Sequence, residues 1–110
     1  MAGPLKSVDL LTLVAAYRLG DDAYGVTIQA DIRGLQGRDV SMAAVYAALE
    51  RLERLGLVRP WLSEPRPERG GRARRHFSVS AAGRDCIRRA HEDAMRLWGA
   101  VPIPPAGRRR

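Results

Sequence analysis

One stretch limits the possible folds more than any other: residues 41–58, SMAAVYAALERLERLGLV. Ser41 can cap the free amides of a first helical turn. Val45, Leu49, Leu52 and Gly56 follow at helical spacing along one face, with Leu55 beside them. The opposite face carries Ala43, Ala47 and Glu50, flanked by Met42 and Tyr46, with Arg51 and Arg54 towards the end. Small side chains let a partner approach the helix backbone closely, and one phenol and two guanidiniums are available to bond it. A helix entering a DNA major groove has these properties. So does an ordinary surface helix whose alanines only supply helix propensity. The neighbouring segments must decide.

Upstream, residues 5–19 predict a helix with Leu5, Val8, Leu10, Leu11, Leu13, Val14, Tyr17 and Leu19 apolar. Those positions cover more than one stripe, so the helix must be buried on most sides. A domain this small has little interior, and a second subunit is one source of cover. Gly20-Asp21-Asp22 punctuates it and supplies a carboxylate to cap the next helix. That helix, residues 23–35, sets Tyr24, Ile28, Ile32 and Leu35 along one side. Gly34 and Gly37 mark a turn, and Val40 leads into Ser41. Helix, short glycine-containing turn, helix is a helix-turn-helix arrangement, which favours the major-groove reading.

Downstream, residues 58–63 predict a short strand that Pro60 confines to an edge. The loop EPRPERGGR, residues 64–72, is rich in proline, glycine and arginine. Residues 73–80 alternate, with Phe77 and Val79 on one side and Arg74, His76 and Ser78 on the other. Two strands joined by a basic loop after a helix-turn-helix make a wing. Arg72, Arg74 and Arg75 are its candidate phosphate ligands, because guanidiniums bond phosphate in a bidentate manner. Arg66 and Arg69 fit a solvated loop equally well. Ser80 can cap a last helix, residues 81–98, whose stripe is Ile87, Ala90 or His91, Ala94, and Leu97 or Trp98. This helix comes after a complete core, so its stripe calls for a partner. The expected interface combines Leu5 and Val8 with Ile87, Ala90, His91, Ala94, Leu97 and Trp98 of two copies, alongside packing onto the first helix. From Gly99 the chain is proline- and arginine-rich and reads as a disordered tail.

Charge supports a polyanionic partner. The chain of 110 residues carries a formal charge of +7, and the charge is unevenly placed. Residues 1–40 hold four basic against five acidic groups, whereas residues 64–110 hold twelve against five. Cys86 is the only cysteine, which excludes an internal disulfide and fits a reducing cytoplasm; without a resolving partner it reads as inert. No metal-ligand spacing, glycine-rich phosphate cradle, membrane-length apolar run or signal-peptide pattern is present. Asp9, Asp21, Asp22, Glu50, Glu53, Glu92 and Asp93 read as caps or charged helix faces, so neither an enzyme nor a cofactor is expected. His76 is expected as a wing contact and His91 as an interface residue.

Three motifs carry a resemblance to a known family. Tyr24-Gly25-Val26-Thr27-Ile28 resembles Y-G-[YV]-x-I. Residues 44–58, AVYAALERLERLGLV, resemble T-L-Y-x-x-L-x-R-L-E-x-x-G-L-[IV]. Residues 71–83, GRARRHFSVSAAG, resemble G-R-x-[RK]-[KR]-Y-Y-x-[LI]-T-x-x-G. Together they look like the PadR family of winged-helix transcriptional regulators, in its short form with one C-terminal helix. Ala44 and Val45 depart from the usual threonine and leucine, and His76-Phe77 from the tyrosine pair. The chain is therefore expected to be mostly α with a two-stranded β wing. Residues 5–80 would form the winged helix-turn-helix, 81–98 a dimerisation helix and 99–110 the tail.

The expected function is sequence-specific binding of double-stranded DNA as a homodimeric repressor on an inverted repeat. The expected contacts are Met42, Ala43 and Tyr46, with Arg51 or Arg54 on phosphate and Arg72, Arg74 and Arg75 from the wing. The resemblance further implies, for many members, a small aromatic effector; Ala94, Met95 and Trp98 could line a pocket for one, or Trp98 could simply pack the interface. A winged helix that binds an acidic protein instead is the alternative.

Overall fold

The computed structural model describes residues 5–64 and 74–107. Its elements run α1 (Ser7–Leu19), a single 3-10 turn (Gly20–Asp22), α2 (Gly25–Gln36), α3 (Met42–Arg54), β1 (Val58–Leu62), β2 (Arg75–Val79) and α4 (Ala81–Gly99). The fold is the expected one, four helices and a two-stranded antiparallel sheet.

The caps explain most of the boundaries. The Ser41 hydroxyl accepts from the Ala44 amide at 3.0 Å and starts α3. Ser80 does the same for α4, accepting from Gly83 at 3.0 Å, while its own hydroxyl donates to the Gly56 carbonyl at 2.6 Å. Such caps contribute about 1 kcal/mol each. The second helix is not started by a carboxylate. Thr27 Oγ1 accepts from the Tyr24 amide at 3.0 Å and donates to the Asp22 carbonyl at 2.5 Å. Asp21 and Asp22 are exposed and serve the turn instead. Gly37 closes α2 through its amide to Arg33, and Gln29 donates to the Val40 carbonyl at 2.8 Å, which ties the turn to the helix before it.

The core is Leu13, Ala15 and Ala16 of α1, Ile28 and Ile32 of α2, and Val45, Ala48, Leu49 and Leu52 of α3. Ala23, Val40, Val58 and Phe77 close it. α1 lies against α2, α3, β2 and α4, so most of its apolar surface finds cover within one chain. The need for a second subunit is therefore weaker than its composition suggested. Small residues make this possible: Ala15 and Ala16 are fully packed, and Thr12 is buried because its hydroxyl donates to the Val8 carbonyl at 2.8 Å. Leu35 and Leu55, read from the pattern as apolar-face residues, are exposed instead. Each sits in or past the last turn of its helix, beyond the edge of the core.

In the sheet, Val58 pairs with Val79 and Leu62 with Arg75, and Pro60 faces Phe77 from the edge strand. The other edge of β2 is also engaged. The Phe77 amide donates to the Ala23 carbonyl at 2.9 Å, and Tyr24 forms a single bridge to His76. This wedges β2 between β1 and the start of α2 and changes one expectation. His76 is 7% exposed rather than a solvent-facing wing contact. Trp61 stacks on its ring at 4.4 Å from across the sheet, and Tyr24 lies at 5.1 Å on its other flank. Alternation predicts one dry face, whereas aromatic neighbours also cover this part of the second.

α4 is not an appendage outside a finished core. Gly83 is buried, and Cys86 and Ile87 pack against the core cluster. Beyond that its remaining turns leave the domain, and every residue from His91 to Gly107 is exposed. α4 from end to end is about 28 Å long, and the molecule measures 54 × 39 × 20 Å. Residues 102–107 carry no regular secondary structure; Arg108, Arg109 and Arg110 lie outside the described residues.

Candidate nucleic-acid interface

The outward face of α3 matches the sequence reading at its start and differs near its end. Ala43, Tyr46, Glu50 and Arg54 are exposed, and Met42 and Ala47 are half-buried. Tyr46 remains 49% exposed although its ring leans on the first turn of α2. A methyl group built on Gly25 would stand 2.5 Å from the Tyr46 hydroxyl oxygen and 2.9 Å from the Met42 methyl.

Arg51 is committed elsewhere. Its Nη2 donates to Asp9 Oδ1 at 2.7 Å and its Nε to Oδ2 at 2.9 Å, a forked pair across α1 and α3. Asp9 is 3% exposed, so it is a buried ion-pair partner and not the charged helix face its position in sequence suggested. These hydrogen bonds, partly offset by desolvation and helped by the charges of Asp9 and Glu50, raise the Arg51 pKa above its usual value. A guanidinium bound to a buried carboxylate is a poor phosphate ligand, because leaving would strand the carboxylate. Of the two α3 arginines, Arg54 has no carboxylate partner among the described residues.

The wing arginines separate in the same way. Arg74 donates from Nη1 to the Tyr24 hydroxyl, and its guanidinium lies over the Tyr24 ring, 4.7 Å from the centroid. Its backbone is fixed by exchange with Ser63, amide to hydroxyl at 3.0 Å and carbonyl to amide at 2.9 Å. Arg75 pairs with Glu53 of α3 at 3.0 Å and sits over the Phe77 ring. It bridges the wing to α3 while its side chain stays more than half exposed. Arg72, with Arg66 and Arg69, lies outside the described residues.

A profile of the transcriptional regulator PadR-like family matches residues 14–89, most of the chain. The chain belongs to the PadR-like family of transcriptional regulators. The match takes in all of α2 and α3, both strands and the packed part of α4. Membership in the PadR-like family makes the function regulation of transcription through DNA binding, and this is no enzyme family. No curated protein matches the chain. Among solved structures, a PadR family transcription regulator from Clostridium difficile R20291 superposes with a TM-score of 0.62 at 20% identity. That alignment covers 86% of this chain and 100% of the other. A PadR-like transcription factor from Bacteroides fragilis gives 0.70 at 15% identity over 84% of each chain. A transcriptional regulator from Clostridium thermocellum gives 0.66 at 19%, covering 86% and 92%. At these identities the likeness is one of fold.

The residues expected at an interface and an effector site lie on other parts of the PadR-like chain. Leu5, Val8 and Ile87, expected at a dimer interface, are half-buried against this chain's own core, and Ala90 is half-buried. His91, Ala94, Leu97 and Trp98 are exposed on the projecting part of α4. Ala94, Met95 and Trp98, the expected effector contacts, are all exposed on the same turns. A shallow groove does exist, but lower down, where Tyr17 of α1 faces Ala81, Arg84, Ile87, Arg88 and His91 of α4. Among the described residues no three His, Cys, Asp or Glu side chains cluster to hold a metal. No described helix is long and apolar enough to cross a membrane. The sequence reading missed Tyr24 and Gly25 as neighbours of Arg74 and Tyr46. Their dipeptide was legible as a motif, but its contacts are long-range.

Proposed function

We propose that the chain is a homodimeric repressor that occupies an inverted-repeat operator. One observation carries the DNA-facing surface. The exposed phenol of α3 and the Arg74 guanidinium of the wing both lie against the start of α2, at adjacent residues Gly25 and Tyr24. Reader helix and wing thus meet on one side of the domain. In this reading the backbone at Met42 and Ala43 and the ring of Tyr46 approach the major groove. Arg54 holds a phosphate, and Arg72, Arg74 and Arg75 hold the flanking strand. Alanines carry no hydrogen bonds to base edges, so DNA shape shares in the discrimination.

The dimer is supported by the uncovered end of α4. Leu97 and Trp98 are 60% and 66% exposed, and clustered apolar surface of this kind marks an interaction site. Two copies joined there would present two α3 helices to half-sites about one helical turn apart. A planar aromatic effector would bind where Trp98 of each copy is brought against Met95 and Ala94, and would act by changing the spacing of the two readers. A DNA partner and a single thiol fit a cytoplasmic protein.

The test is selection from a random duplex pool, followed by titration of the selected duplex at several salt concentrations. The expected product is an inverted repeat. Tyr46→Ala weakens its binding about tenfold or more, and Arg74→Ala lowers the salt slope by about one unit. Equal affinity for selected and random duplex rejects the operator reading. Unchanged binding in the Tyr46→Ala/Arg74→Ala double variant rejects the docking. Tryptophan fluorescence quenched by planar aromatics in the wild type, and not in Trp98→Phe, supports the effector.

A further inference from the structure

The first two residues of the Tyr-Gly motif have no partner-contacting role in the reading above, yet both reach its key side chains. Gly25 opens α2 and is buried, and the space where its Cβ would stand is filled by Tyr46 and Met42 of α3. An alanine methyl would come within 2.5 Å of the Tyr46 hydroxyl oxygen and 2.7 Å of the ring carbon that bears it. Real carbon atoms do not approach so closely, so the phenol lies where it does only because residue 25 has no side chain. The atoms met are the far end of a side chain that is half exposed, not backbone. Tyr24, one residue earlier, holds Arg74 by its hydroxyl and by its ring face. The same residue is pinned by its bridge to His76.

We propose that the Tyr24-Gly25 step is a positioning element that sets, from two consecutive residues, the orientation of Tyr46 on α3 and of Arg74 on the wing. Gly25 acts by subtraction, admitting the phenol against the helix start. Tyr24 acts by contact, fixing the guanidinium by a hydrogen bond and a cation–π contact. Neither residue needs to touch DNA. The spacing between the two contact groups is thereby tied to one covalent step at the start of α2. This inference rests on the reading of α3 and the wing as the DNA-facing surface.

The experiment is a double-mutant cycle on Gly25→Ala and Tyr46→Ala, using the duplex that the wild-type protein selects from a random pool. Affinity and melting temperature are measured for each variant. Alanine is a better helix former than glycine, and the displaced atoms can swing towards solvent, so Gly25→Ala is expected to melt no lower than wild type. Its affinity is expected to fall about tenfold in the wild-type background and less than about twofold in the Tyr46→Ala background, as for directly coupled neighbours. Equal losses in both backgrounds overturn the inference, as does wild-type affinity in Gly25→Ala. A Gly25→Ala protein that fails to fold makes the residue a packing requirement and also overturns it. Tyr24→Phe supplies the second arm. It is expected to weaken binding in the wild type and to have no further effect in Arg74→Ala; independent effects reject the role of Tyr24. A wild-type protein that enriches no sequence brings down the DNA reading and the inference together, whereas a binding wild type with a silent Gly25→Ala brings down the inference alone.

Discussion

Asp9 shows how one buried side chain ties two elements. It sits in the first turn of α1, where a carboxylate also favours the helix dipole, and takes both forks of Arg51 from α3. Removing it leaves a guanidinium that is two-thirds covered without its acceptor, the costly way to break such a pair. Asp9→Ala is expected to lower the melting temperature by roughly 10 °C, and Asp9→Asn by less, because the amide keeps one acceptor. Differential scanning calorimetry decides this, and a change within error for Asp9→Ala would mean that the pair contributes nothing net. The double replacement Asp9→Leu/Arg51→Met is expected to recover part of the loss, since apolar pairs replace buried ion pairs well. The raised Arg51 pKa keeps the guanidinium charged, and its own share of this stabilisation present, below the ordinary arginine value. That share is lost as pH climbs through the higher folded value, so no pH dependence from Arg51 is expected in the neutral range.

At the scale of elements, two glycines behave oppositely for a reason visible in their neighbours. A methyl on Gly25 meets side-chain ends, but one on Gly83 overlaps the Leu57 carbonyl oxygen and lies 2.7 Å from Val79 Cγ1. Backbone cannot swing away. Gly83→Ala is expected to lift α4 from the sheet and cost about 1–3 kcal/mol, as overpacking does. Chemical denaturation measures it, and a cost near zero would show that α4 can shift without loss. The contact also explains why α4 leaves the domain where it does. Ser80 is held on both sides, by the Leu57 carbonyl through its amide and the Gly56 carbonyl through its hydroxyl, so the helix starts from a fixed corner. Further along, Arg88 pairs with Asp85 and Glu92, and Arg96 with Asp93. These i,i+3 and i,i+4 pairs lend modest support along the solvent-facing side of the helix.

At the scale of the molecule, the proposed dimer turns on the projecting end of α4. Sedimentation tests it: the wild-type chain is expected to run as a dimer, and Trp98→Glu, which puts a charge into the exposed apolar patch, as a monomer at the same concentration. Helical circular dichroism should change little, because the substituted residue touches no core. A variant that still sediments as a dimer would move the interface to the base of α4, where Tyr17, Ile87 and His91 border the groove. Loss of the dimer should also weaken binding to an inverted repeat far more than to a single half-site, since the two half-sites bind as one linked event.

Much of this protein could be read without coordinates, because the signals were local. Hydrophobic period distinguished helices from strands, the serines at 41 and 80 set two helix starts within one residue, and Pro60 kept β1 at an edge. The order helix, turn, helix, wing then implied the architecture. What the sequence could not supply depended on residues far apart in the chain. Asp9 and Arg51 are separated by 42 positions, and Tyr24 and Arg74 by 50. Nothing in either neighbourhood marks one side chain as reserved for the other. The burial of His76 likewise needs Trp61 and Tyr24 to arrive from different elements. Periodicity reports which face of an element is apolar, and so determined this fold. Only tertiary packing decides which polar groups are already satisfied, and therefore that Arg51 is spent within the protein, Arg54 has no described carboxylate partner, and Tyr46 rests on a glycine.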